Sequence, residues 1–269
     1  NCPNLQSDDS KKMWEKIINE VHKNNSSIFC QLWHCGGIRK LGMPPNPKIP
    51  GFTPSGLVRE GGKKVAYEMT LEDVQKLIQI YVDDAKICEE LGFDGVEIHA
   101  AHGYLIDQFF WDQINLRTDK YGGSIENRSR LAKEILEASQ KKTSNSFKVG
   151  IRVSQWKQQD YEAKITNDAV ELNKFFDILK NAGADFIHCS NRRFWEGEFD
   201  PKGLNLAGVA KEATGLPTIS VGSVGLDKEF TKLYSGDHQT QTTDLDNLHK
   251  KLNKSEFDLI AVGRALLSD

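Results

Sequence analysis

Apolar and polar positions along this 269-residue chain follow two alternating periods. Across 8–23 the apolar residues Met13, Trp14, Ile17, Ile18 and Val21 recur at helical spacing, and Asn24 and Asn25 close the segment. That is the signature of a helix with one buried face. The run SIFCQLW comes next, short and apolar, as a buried strand is. The couple then recurs: helix over 70–90 and FDGVEI, helix near 127–141 and FKVGIRVS, helix near 167–181 and ADFIHCS. Two more units complete the chain, helix around 206–213 with PTISVG and helix around 242–252 with FDLIAVG. Helix then strand, repeated, predicts parallel pairing with a right-handed crossover between neighbours. About six strands are expected, and their short apolar runs suit a sheet buried on both faces. A barrel fits this pattern better than an open sheet.

Two stretches break the rhythm. Residues 36–64, GGIRKLGMPPNPKIPGFTPSGLVREGGKK, are rich in Gly, Pro and Lys and lie directly after the first strand. A connection that long in a compact domain is usually a functional lid or a mobile segment, so a lid-like excursion is expected here. Residues 191–204 carry Arg192, Arg193, Phe194, Trp195 and Phe199 after another strand, and the aromatics suit packing beneath a loop as well as a ligand.

Composition narrows the class. Hydrophobic residues at 38% and charged residues at 27% describe an ordinary globule with enough apolar side chains for a sizeable core. A net charge of -3 and pI near 6.2 provide no basic field for nucleic acid or an anionic membrane, so small ligands are the expected partners. No apolar run approaches the ~20 residues that a bilayer requires, and a cytoplasmic location is expected. Cys2, Cys30, Cys35, Cys88 and Cys189 are odd in number and lack paired C-x-x-C spacing, which argues against a disulfide framework or a zinc knuckle. Cys30, Cys88 and Cys189 sit in apolar patterns and read as core.

In a barrel, chemistry gathers at the carboxyl ends of the strands, where loops converge over a packed body. The residues at these strand ends are polar or aromatic: Gln31, Trp33 and His34 after SIFC; His99, His102 and Tyr104 after GVEI; Arg152 in GIRVS; Ser223 after SVG; Arg264 after AVG. The turns ISVGSVG and IAVGRAL place Gly222 and Gly263 where backbone N–H groups can approach an anion. On the last two strands of a barrel they match the usual phosphate position. A metal at His99 and His102 needs a third ligand, and neither H-E-x-x-H nor a suitably spaced carboxylate is present. Two neutral imidazoles can instead donate to one substrate oxygen while a phenol such as Tyr104 delivers a proton; satisfied core histidines are the plainer reading. In NLRTDKYGGSIENRSR, Ser124 or Asn127 can cap the next helix, and Arg117, Asp119, Glu126 and Arg128 read as interlocking charge pairs beneath the site.

VEIHAAHGYLIDQFFWDQINLRTDKYGGSIENRSR, succeeded in order by GIRVS, VGSVG and VGRALL and preceded by IFCQLWH, resembles the old yellow enzyme family of FMN-dependent NADH:flavin oxidoreductases and enone reductases. The resemblance spans essentially the whole chain and is weakest through 157–206 and 234–255. It implies a TIM (β/α)8 barrel forming one FMN-binding domain over 1–269. It also implies that the first two strands of that barrel are absent from this chain, so that the domain is N-terminally incomplete. Gln31 and Arg152 would bind the flavin pyrimidine edge, and Gly222, Ser223, Gly263 and Arg264 the FMN phosphate. His99 and His102 would bind a carbonyl or nitro oxygen, Tyr104 would protonate the substrate carbon, and Trp33 would shape substrate orientation. NADH or NADPH would be the reductant and an activated alkene the acceptor. A barrel that binds a flavin or phosphate ligand without turnover, and a metal-dependent barrel hydrolase, are the competing readings.

Overall fold

The structure, a computed structural model, describes residues 4–200, 203–227 and 241–267, the last without the side chains of Arg264 and Leu267. Helix α1 (Asp8–Lys23) begins at Ser7, whose hydroxyl accepts from the Ser10 amide, and buries Ile18. Strand β1 (Phe29–Leu32) comes next, and the long excursion after it contains a two-stranded pair, β2 (Phe52–Thr53) and β3 (Tyr67–Glu68). Thr70 and Asp73 close a reciprocal capping box on α2 (Leu71–Leu91), which Gly92 ends in the left-handed conformation at φ 93°.

Strand β4 (Gly95–His102) leads through α3 (Leu105–Phe110), α4 (Ile125–Arg128) and α5 (Arg130–Lys142) to β5 (Lys148–Lys157). Then come α6 (Ala169–Asn181), β6 (Ile187–Ser190), α7 (Leu206–Thr214) and β7 (Thr218–Val221). The described chain closes with α8 (Asp246–Asn253), β8 (Leu259–Ala261) and a 3₁₀ turn at Arg264–Leu267.

Among the described residues, six strands pair in the order β1-β4-β5-β6-β7-β8, every pair parallel. Each crossover carries at least one helix, the arrangement of an α/β barrel wall. Strand alternation separates the two faces. Val96, Ile98, Val149, Ile151, Val153, Ile187 and Cys189 are fully buried against the helices. The opposite face carries Gln31, Glu97, His99, Arg152 and His188, aligned by the register Gln31↔Glu97, His99↔Arg152 and Arg152↔His188. Near the amino end of the strands, the Phe186 ring lies over Gly150, where an added Cβ would sit 2.2 Å from it, and meets Phe29 edge-on at 5.4 Å. The amino end thus carries aromatic rings while the carboxyl ends stay polar.

The structure adds detail at four points. Strand β4 runs through His102, so both histidines stand on the strand and not in the loop after it. Strand β5 also extends past Ser154, and its Lys157 pairs with His102. The lid-like excursion at 36–64 is anchored in its middle: Thr53, Ser55 and Leu57 are buried, while the stretches around Leu41 to Ile49 and Arg59 to Lys64 stand largely in solvent. Arg117 pairs with Asp119 as expected, but Arg128 faces Glu171 at 3.5 Å, and Glu126 pairs with Lys174. Phe194 is buried and Phe199 exposed, so packing accounts for the first.

Candidate active site

His99 and His102 owe their proximity to an irregularity in β4. The register with β5 shifts between Ala100 and His102, and His102 and Gly103 take φ of 62° and 76°. A positive φ is uncommon for a residue with a Cβ and persists where the surroundings hold it. Here they do. The His102 amide donates to Ser154 Oγ at 2.9 Å; the Gly103 amide donates to Asp107 Oδ2 at 2.6 Å; and Gly103 O accepts from Gln108 Nε2 and Gln159 Nε2 at 2.7 and 2.8 Å. Lys157 Nζ in turn reaches Asp107 Oδ1 at 2.6 Å, and neither side chain has any exposure. The bend places the ring of His99 5.1 Å from His102 and 5.1 Å from Tyr104, with Trp33 edge-on to Tyr104 at 5.0 Å.

The hydrogen bonds then converge on Ser190. Its Oγ lies 2.7 Å from His102 Nε2 and accepts from Arg152 Nη2 at 3.3 Å. Deeper along the same face, Glu97 accepts from Gln31 Nε2 at 2.5 Å and pairs with His188 Nδ1 at 2.7 Å. Burial alone would raise the Glu97 carboxyl, but the hydrogen bond and charge of His188 and the nearby Arg152 hold it below the usual carboxylate range. Burial, with the Arg152 cation adding to it, pushes His99 down to about 3 and holds His102 well below the usual imidazole range. Both rings are therefore neutral at neutral pH, each with one N–H to donate. Burial also lowers Arg152, although Glu97 opposes this, and a guanidinium so placed still keeps its charge.

A cavity of about 620 Å³ opens above this face and is lined by His102, Tyr104, Arg152, Gly222, Ser223 and Gly263 among others. Six of the sequence-predicted residues thus share one cavity. At Gly222, φ is 135° and a Cβ would lie 2.5 Å from Asn191 O, so only glycine fits that turn. Ser223 Oγ donates to Arg192 O at 3.2 Å and fixes the neighbouring loop. His99 stands beside the cavity, against His102 and Tyr104. Gln31 is hydrogen-bonded to Glu97 and does not line this cavity, and Trp33 lines a separate cavity of about 250 Å³ while touching Tyr104. The Arg264 side chain lies outside the described residues.

Several functional candidates escape a reading of the sequence. Trp156 stacks on His102 at 4.5 Å and 25°, and Tyr161 stacks on Trp156 at 5.4 Å and 15°. Ser190 and His188 carried a legible signal, polar residues at alternate positions of the apolar run FIHCS; Trp156 and Tyr161, in the irregular SQWKQQDY, carried none. Among the described residues, no group of three or more His, Cys, Asp or Glu side chains is arranged to hold a metal ion. No helix among them is long and apolar enough to cross a membrane.

Among the described residues, three buried side-chain nitrogens have no protein partner: His99 Nδ1, Arg152 Nε and His188 Nε2. A buried guanidinium N–H without an acceptor is costly, and the three sit on the face over which the cavity opens. A planar heterocycle rich in carbonyl and ring-nitrogen acceptors fits that requirement, and a phosphate fits the glycine turn.

The family profile of the NADH:flavin oxidoreductase / NADH oxidase family matches residues 1–269. The 12-oxophytodienoate reductase 1 of Oryza sativa subsp. japonica is 29% identical over 273 residues, covering 99% of this chain and 66% of its own length. The 12-oxophytodienoate reductase 2 of Arabidopsis thaliana is 35% identical over 162 residues, covering 56% of this chain and 43% of its own length. The chain spans about half to two thirds of the length of the first curated relatives it matches. A morphinone reductase variant in complex with tetrahydroNAD superimposes with a TM-score of 0.75 at 22% identity, over 97% of this chain and 68% of its own. That likeness shows the α/β barrel fold.

Proposed function

The chain belongs to the NADH:flavin oxidoreductase / NADH oxidase family, the old yellow enzyme family, and from this premise we propose that it forms a single FMN-binding barrel domain of an NAD(P)H-dependent reductase of activated alkenes. One observation supports the reading most: the partnerless Nε of Arg152 and the Gly222 turn bound the same cavity, with the partnerless Nδ1 of His99 beside it. FMN, when bound, supplies hydride taken from a nicotinamide and passed to an electron-poor carbon.

The chain's own residues do the rest. Arg152 would hold the pyrimidine edge and favour negative charge there, because its guanidinium stays cationic. Gln31, fixed on Glu97, would contact the same edge. Gly222, Ser223, Gly263 and Arg264 would hold the phosphate with backbone and side-chain donors. His99 and His102, held neutral, would donate hydrogen bonds to the carbonyl or nitro oxygen of the acceptor. That polarises the conjugated alkene and stabilises the negative charge that develops on the oxygen as its β-carbon is reduced. Tyr104, close to His99 and edge-on to Trp33, would give its phenolic proton to the α-carbon. Trp33 would limit how the acceptor lies. Small unsaturated carbonyl or nitro compounds are the substrates this arrangement accepts.

The test uses the full-length protein loaded with FMN under anaerobic conditions. NADH or NADPH should bleach the flavin absorbance, and 2-cyclohexenone should restore it with formation of cyclohexanone. Flavin that binds, is reduced, and is never reoxidised by any enone or nitroalkene would contradict the acceptor assignment.

A further inference from the structure

Ser190, the last residue of β6, is buried and touches three groups of the site. Its carbonyl oxygen accepts from the Trp156 indole N–H at 3.0 Å, and that indole stacks on the His102 ring. Its hydroxyl oxygen lies 2.7 Å from His102 Nε2 and accepts from Arg152 Nη2 at 3.3 Å. One residue thus holds the His102 ring at its edge directly and at its face through Trp156.

A serine hydroxyl has one proton and two lone pairs, and a guanidinium can only donate, so Arg152 occupies one lone pair of Ser190 Oγ. Two arrangements remain for His102, whose ring is neutral because burial and the Arg152 cation oppose a second proton. If Nε2 carried the ring proton, it would donate into the other lone pair, and the buried hydroxyl proton would have no acceptor among the described residues. If Nε2 is bare, the hydroxyl donates to it and every group is used. The ring proton then sits on Nδ1, which has no partner among the described residues, on a side chain that lines the cavity. Which nitrogen of an imidazole carries the proton is set by the hydrogen bond the other makes. The choice matters to an incoming oxygen, which an N–H attracts and a nitrogen lone pair repels. No described side chain makes such a bond to His99, whose buried Nδ1 is without a partner. We propose that Ser190 is a positioning residue that fixes His102 as the Nδ1–H tautomer, so that this ring always offers its one donor to the oxygen of the acceptor. The inference rests on the reading of His99 and His102 as the acceptor site and adds the residue that sets the proton's place on one of them.

FMN-loaded full-length protein, isotope-labelled at the histidine ring nitrogens, is measured by NMR at neutral pH, with the His102 signals assigned by their loss in a His102→Asn variant. Nε2 should show the shift of an unprotonated ring nitrogen and Nδ1 that of a protonated one. Ser190→Ala should move both toward the opposite tautomer, the one a free histidine prefers in water. It should also weaken phenol binding, read from the charge-transfer absorbance of phenolate on flavin, by about 10-fold, the loss of one hydrogen bond to a charged oxygen. Ser190→Thr, which keeps the hydroxyl, should retain the wild-type shifts and affinity. A protonated Nε2 in the wild type would overturn the proposal whatever the variants do. So would Ser190→Ala that weakens phenol binding with the shifts unmoved, which would assign the hydroxyl to the ligand itself. Unchanged phenol affinity in Ser190→Ala, or a threonine variant that behaves like the alanine one, would overturn it as well. If shifts and phenol affinity follow Ser190 as stated and no enone reoxidises the reduced flavin, the positioning role stands and the ene-reductase reading fails.

Discussion

Neutral imidazoles are the state in which His99 and His102 can serve an oxygen acceptor, and burial beside Arg152 enforces that state. An unshifted histidine titrates at 6.5. With both values depressed, kcat/KM for a neutral enone should be flat from about pH 5 to 8 as far as these groups are concerned. A break near 6.5 in that profile would show that one ring protonates in the working site. The same shifts have a stability consequence. As pH falls below the ordinary histidine value, the unfolded chain takes up protons that the folded chain refuses, so stability should decline on acidification and be fully present above that value. Tyr104→Phe should slow reoxidation of reduced flavin by an enone about 100- to 10,000-fold, the usual contribution of a general acid, and spare reduction by NAD(P)H. Stopped-flow traces of the two half-reactions measure this, and equal slowing of both would mean that Tyr104 only packs.

At the scale of elements, the bend between β4 and α3 is where the site is made. The left-handed His102 and Gly103 are fastened by Asp107, Gln108 and Gln159, and the fully buried Lys157 holds Asp107 in place. Burial raises Asp107 to about 6 even though Lys157 pulls it down, and burial lowers Lys157 against the pull of Asp107. Lys157→Met strands a buried carboxylate and should cost about 3 to 5 kcal/mol, read from the urea midpoint. The loss should shrink as pH drops, because a protonated Asp107 no longer needs the cation; a loss independent of pH would mean that shape and not charge is responsible. This clamp was not legible in the sequence. Asp107 sits in YLIDQFF, where a helix start explains an acid, and Lys157 sits in a polar stretch that resembles a surface loop. Only the extension of β5 past Ser154 brings the two together. The helix-strand couples, by contrast, were legible because each helix has one apolar face, and α1 matches its predicted span residue for residue.

For the whole molecule, parallel strands in chain order put the post-strand turns on one rim, so residues as distant as His102 and Gly222 meet at one cavity. The rim could be anticipated from strand ends alone. The contacts across it could not, since Trp156 reaches His102 because β5 continues to Lys157, and Tyr161 stacks on Trp156 from the turn beyond that strand. If the phosphate turn is as assigned, FMN at about 100 times its Kd should stabilise full-length protein by about 2.7 kcal/mol, a rise of a few degrees in Tm. Gly222→Val should remove that rise, because its Cβ would collide with the Asn191 carbonyl. A rise that persists would place the phosphate elsewhere. The most direct test of the site as a whole is a phenol titration of the FMN-loaded protein, monitored by absorbance. Two neutral donors above a flavin favour an oxygen anion, so phenol should bind as phenolate and produce a long-wavelength charge-transfer band. In a His99→Ala, His102→Ala double variant that still holds FMN, binding should weaken by at least ~100-fold, from the loss of two hydrogen bonds to a charged oxygen. A double variant that develops the same band at the same phenol concentration would contradict the assignment of these histidines to the acceptor site.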